Sequence, residues 1–208
     1  MHETVLRLSG ITKRFGPLLA NDGISLALQR GEILGLLGEN GAGKTTLMNI
    51  LFGHYVADAG DIEVEGKILP PGQPAAALAA GIGMVHQHFT LAENLTVLDN
   101  VVLGTESLWR FSSNSQKARA RIKQLAQEFG LEVNPDAIIT SLSVGERQRV
   151  EILKALYREA KILVLDEPTA VLTPQESTAL FETLKRFVAR GLSIILDRKS
   201  TRLNSSHQ

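Results

Sequence analysis

The nine residues Gly38-Glu39-Asn40-Gly41-Ala42-Gly43-Lys44-Thr45-Thr46 satisfy the pattern G-x-x-x-x-G-K-[ST], follow the apolar run Ile33 to Leu37 and open a helical stretch. Glycines there let backbone N–H groups wrap around phosphate oxygens, and a helix N-terminus adds partial positive charge. Lys44 is the cation for β and γ phosphates, and the Thr45 hydroxyl is a ligand for Mg²⁺. A second signal lies far downstream, where the apolar run Ile162-Leu163-Val164-Leu165 meets Asp166-Glu167-Pro168-Thr169. Ligands bind at the ends of strands in open α/β sheets. Asp166 is placed to hold Mg²⁺ beside Thr45, and Glu167 to polarise an attacking water as general base. The competing reading is that both acids merely cap the next helix or bind solvent.

The elements that must position these groups follow from periodicity. From Thr4 to about Leu37 the pattern is mostly strand, with Leu6 and Leu8, then Ile24, Leu26 and Leu28, in alternation. A helix is expected over about Lys44 to Gly53, a strand over Ile82 to Val85, and a mainly helical stretch from about Ala92 to Ala160 with the polar segment Phe111 to Gln116 as an internal loop. The strand Ile162 to Leu165, a helix from about Pro174 to Arg190 and the strand Leu192 to Leu196 complete an alternation that defines an α/β protein with a largely parallel sheet.

Bulk properties narrow the function classes. Among 208 residues, Lys plus Arg equals Asp plus Glu at 22 each, so no overall field draws the chain to nucleic acid or an anionic membrane. The basic stretch Lys117, Arg119, Arg121, Lys123 has no aromatics for base stacking and reads as a solvated helix face. No apolar run approaches the ~18 residues of a membrane span, and the N-terminus has no secretion-signal pattern, so a cytoplasmic location is expected. The absence of cysteine removes disulfides, thiolate metal sites and thiol nucleophiles.

Between the two chemical signals stands Leu142-Ser143-Val144-Gly145-Glu146, followed by Arg147-Gln148-Arg149-Val150. Ser143 is a good N-cap, Glu146 completes a capping box, and a helix N-terminus carrying serine and glycine can grip an anion. In order and spacing with the other motifs, this stretch resembles the LSGGQ signature of ABC ATPases, with Val144 and Glu146 replacing Gly and Gln. The resemblance runs from about Leu6 to Leu196. It implies a P-loop NTPase with a RecA-like core, an N-terminal antiparallel β subdomain and a helical signature subdomain over about 92–160, the whole ATP-binding domain occupying residues 4–196. It implies ATP with Mg²⁺, and a head-to-tail pair of cassettes in which the signature Ser143, Val144, Gly145 and Glu146 acts in trans, Ser143 and Gly145 of one cassette contacting the γ-phosphate held by Lys44 of the other.

By the same resemblance Phe15 stacks on adenine, with a core phenylalanine as the competing reading. Gln87 takes the place of the glutamine that touches Mg²⁺ and the attacking water beside the permease-docking surface. His86 and His88 have no third ligand in view and read as loop residues. Thr173 ends a segment where many members carry aspartate. The segments Val85 to Phe89, Leu142 to Glu146 and Pro168 to Glu176 look most like the simple-sugar and nucleoside importer branch, in which two cassettes are usually fused. The implied partners are a second cassette, transmembrane permease subunits and, indirectly, a solute-binding protein. The implied location is the inner face of the cell membrane. The alternatives are a soluble ABC ATPase acting on ribosomes or DNA, which would carry a basic linker or coiled-coil insert, and a catalytically weak regulatory fragment.

After Leu196 the family would continue the strand to a γ-phosphate-sensing histidine. Here Asp197 to Gln208 is polar, without helical or strand period, and the stretch Asp197 to His207 resembles what a common short-read sequencing adapter encodes. The expectation is that the chain is C-terminally truncated, that 197–208 is a non-native tail, that His207 is not the sensing histidine, and that hydrolysis is weak or absent.

Overall fold

The computed structural model describes residues 3–38, 41, 43–86, 89–105, 111–170 and 172–199. The strands β1 (Thr4–Phe15) and β2 (Leu18–Gln29) form an antiparallel hairpin. The free side of β1 takes β4 (Ala59–Val64), which pairs in turn with β5 (Lys67–Ile68), giving an antiparallel sheet of order β2-β1-β4-β5. The second sheet is parallel, of order β3-β8-β7-β6, built from β3 (Ile33–Gly38), β6 (Ile82–Val85), β7 (Ile162–Leu165) and β8 (Ser193–Lys199). The helices are α1 (Lys44–Phe52), α2 (Pro74–Ala79), α3 (Val97–Val102), α4 (Phe111–Phe129), α5 (Val144–Tyr157) and α6 (Pro174–Ala189).

Alternation along the parallel strands divides the core in two. Ile162 and Val164 of β7 and Ile195 of β8 join Leu47, Met48, Ile50 and Leu51 of α1 and the inner face of the antiparallel sheet. Leu163, Leu165, Ile194 and Leu196 face the other way, into a cluster with α3, α4, α5 and α6. A parallel sheet covered on both faces needs apolar residues at successive positions, which is why these strands read as continuous apolar runs. In the second cluster Phe187 is fully buried and meets the Phe129 ring edge-on at 5.2 Å. Phe187→Ala is expected to cost about 3–5 kcal/mol through lost burial and the cavity left behind. A lowered urea midpoint with unchanged slope would show it.

The structure differs from the sequence reading at three places. The segment Phe111 to Gln116 is the start of α4 rather than a loop. Serine and asparagine lower helix propensity without breaking a helix, and the buried stripe Ala118, Ile122, Leu125, Ala126 and Phe129 anchors what they begin. Second, β4, β5 and α2 were not anticipated. Ile62 and Val64 are buried in alternation with Glu63, and the turn Glu65-Gly66 has positive φ at both residues, as a tight hairpin requires. Third, β8 does not stop at Leu196, because Asp197, Arg198 and Lys199 continue it in register with Leu36, Leu37 and Gly38. Residues 200–208, including His207, lie outside the described residues.

Candidate nucleotide site

The strand β3 ends at Gly38, and the chain turns through Gly41 and Gly43 into α1. Both glycines have left-handed backbone, with φ of 86° and 79°. At Gly43 a side chain has no room, since a Cβ would lie 2.0 Å from the Ala20 carbonyl oxygen. Asn21, buried in β2, donates from Nδ2 to the Gly43 carbonyl at 3.1 Å and ties the loop to the antiparallel sheet. Lys44 folds back to donate from Nζ to the Gly38 carbonyl at 2.7 Å. Glu39, Asn40 and Ala42, also assigned to this loop, lie outside the described residues.

A cavity of about 330 Å³ opens at this loop. Its walls bring together Phe15, Gly41, Gly43, Lys44, Thr45, Thr46 and Glu167, drawn from the end of β1, the glycine loop, α1 and the turn after β7. Phe15 is 41% exposed, which removes the core reading. Its ring meets Tyr55 edge-on at 5.5 Å, and Lys13 Nζ lies over it, 5.3 Å from the centroid.

The acids follow β7. Asp166 is buried, and its N–H donates to the Val85 carbonyl at 3.0 Å. Glu167 has φ of 43°, an uncommon conformation for a residue with a side chain and one that accumulates at functional sites. Neither acid caps the next helix, because Thr173 is the N-cap of α6 and forms a capping box with Glu176. Thr173 thus has a structural duty that the sequence reading did not give it. The backbone N–H of Thr173 and its hydroxyl hold the Glu176 carboxyl below the usual carboxylate range.

Thr45 and Asp166 would be the chain's own Mg²⁺ ligands. One hydroxyl and one carboxylate suit a cation that keeps several waters and binds phosphate oxygens, so the donor set fits. When bound, Mg²⁺ would neutralise charge developing on the phosphates. Gln87, the third assigned ligand, and His88 lie outside the described residues. His86 stacks on His54, ring centroids 6.0 Å apart, and burial and then His54 lower its pKa.

Ser143 caps α5 as expected. It accepts from the Glu146 N–H, while its own N–H donates to Glu146 Oε2 at 2.8 Å, which holds that carboxyl below its usual range. Val144 is 40% exposed. None of Ser143, Val144, Gly145 and Glu146 lines the cavity at Lys44; Gly145 lies instead along a groove between α5 and α6. Within one chain the two halves of the expected site are therefore apart.

Two residues of α5 that the sequence reading passed over connect the site's loops. Gln148, buried, donates to the Pro168 carbonyl at 2.6 Å, just after the acids. Glu151, also buried, accepts from the Thr90 hydroxyl at 2.9 Å, just after the segment that carries Gln87. The signature helix is thus tied to both strand ends. The only visible signal was polarity on an otherwise apolar helix face.

A parallel sheet whose strand runs through a glycine loop into a helix, with acids at the end of a neighbouring strand, defines a P-loop NTPase fold. The ABC transporter family profile matches residues 21–170, and the chain belongs to that family. A nucleoside import ATP-binding protein of Lactococcus lactis is 50% identical over 195 residues, which is 94% of this chain and 38% of the relative. A guanosine import ATP-binding protein of Bacillus subtilis is 46% identical over 93% of this chain and 38% of its own length. A ribose import ATP-binding protein of Caldanaerobacter subterraneus is 44% identical, over 93% and 39%. The chain thus spans under two-fifths of these relatives. Among solved structures, an ABC transporter cassette in its ADP conformation superposes with a TM-score of 0.83 at 28% identity, covering 95% of this chain and 82% of the other. A nucleotide-free cassette gives a TM-score of 0.81 at 28% identity, covering 96% and 82%.

Proposed function

We propose that this chain is the N-terminal part of the first cassette of an ATPase that binds and hydrolyses MgATP to power import of a simple sugar or nucleoside. The observation that carries the reading is one cavity lined by Phe15, the glycine loop, Lys44, Thr45 and Glu167. Adenine stacks on Phe15, Lys44 and the α1 N-terminus hold the β and γ phosphates, and Thr45 and Asp166 face the cation. Glu167 takes a proton from water as its oxygen bonds to the γ-phosphorus and the bond to the leaving ADP oxygen breaks. Gln87 orients that water and adjoins the permease.

The separation of the Ser143–Glu146 segment from Lys44 supports a head-to-tail pair of cassettes in which ATP is the shared ligand. Partners of the whole protein are then a second cassette, permease subunits and a solute-binding protein. Among the described residues no helix is long and apolar enough to cross a membrane, which fits attachment to the inner face through a permease. The cargo class rests on the relatives' names. It is tested by disrupting the gene and measuring uptake of labelled nucleosides, ribose and other simple sugars. Loss of uptake of a member of either class is expected, and undiminished uptake across both panels would reject the assignment.

A further inference from the structure

Asp197 is 1% exposed, in the β8 position after Leu196 and opposite Leu36 of β3. Alternation along β8 sends Ile195 toward α1 and Leu196 to the opposite face, so Asp197 returns to the α1 side. There its Oδ1 lies 3.7 Å from Lys44 Nζ, and the residue lines the same cavity as Lys44, Thr45 and Glu167. That distance makes an ion pair without a hydrogen bond, and Oδ1 is buried with no hydrogen-bond partner. Burial raises the pKa of this carboxyl, Lys44 opposes the rise, and Asp166 and Glu167 add to it. The buried Asp197 carboxyl thus has Lys44 as its ion-pair partner and two further acids near enough to repel it.

We propose that Asp197 sets the nucleotide affinity of this chain, its carboxylate competing with the terminal phosphates for Lys44. The proposal rests on Lys44 being the phosphate-binding lysine. An arriving phosphate meets a cation already paired and a negative charge within its reach in a site of reduced dielectric. The cost falls on ligands that place phosphate at Lys44, so ATP is penalised and AMP is not.

The test is displacement of a fluorescent ATP analogue from the 208-residue chain, compared with Asp197→Asn and Asp197→Ile. The first keeps the volume and removes the charge, and the second restores an apolar strand residue should asparagine perturb the fold, which thermal melting would report. ATP is expected to bind either variant about tenfold more tightly than the parent, with AMP affinity unchanged. Equal ATP affinity in parent and both variants, with Lys44→Ala weakening all three, would overturn the role of Asp197 and leave the nucleotide reading standing. Failure of ATP to bind the parent or either variant would overturn both.

Discussion

Replacing Glu167 by glutamine is expected to leave MgATP bound and to cut phosphate release by about 10²–10⁴-fold, the usual contribution of a positioned general base. Glutamine keeps the size and the hydrogen-bonding reach of the side chain but cannot take a proton. The left-handed backbone at Glu167 makes the readout clean, because both residues bear the same strain there. Single-turnover phosphate release, measured alongside nucleotide affinity, separates chemistry from binding. Equal release rates in parent and variant would remove Glu167 from the role of base.

The second large effect is steric. Gly43→Ala is expected to weaken ATP binding by at least about 100-fold and to lower the melting temperature. A Cβ there would sit 2.0 Å from the Ala20 carbonyl oxygen and 2.8 Å from Asn21 Nδ2, on a backbone with φ of 79°. These contacts are backbone and a buried side chain, so α1 must shift, and with it the N–H groups that face phosphate. Gly41 is the control. Its φ of 86° carries similar strain, yet a Cβ there meets nothing within 4 Å. Gly41→Ala should therefore cost only the conformational strain, about 1–3 kcal/mol. Equal losses at the two positions would mean that close approach to Ala20 is not what makes Gly43 necessary.

The parts of this molecule that could be read from sequence are those whose cause is local. The loop Gly38–Thr46 announces itself by glycine spacing between an apolar run and a helix. The capping box of Ser143 and Glu146 needs only the two residues and the three-residue step between them, and both its hydrogen bonds are present. The strand β7 is legible because burial on both faces demands four apolar residues in a row.

What escaped depends on distant partners. Gln148 and Glu151 look like ordinary polar residues of a helix until the fold sets them against Pro168 and Thr90. The strand β4 is short and begins with three exposed residues, so its alternation covers too few positions to stand out. Asp197 reads as the first residue of a polar tail, and only the pairing of β8 with β3 brings it beside Lys44. The continuation of β8 through Lys199 shows that the register set upstream by Ile194 to Leu196 carries polar residues along with it.

The central claim is that the cavity at Lys44 holds a nucleotide by its phosphates. Isothermal titration of the chain with MgATP, repeated with Lys44→Ala, tests it most directly. Saturable binding at a one-to-one ratio, lost or strongly weakened in the variant, is the expected result. Binding that Lys44→Ala leaves unchanged, or no heat of binding up to millimolar ATP, would contradict it.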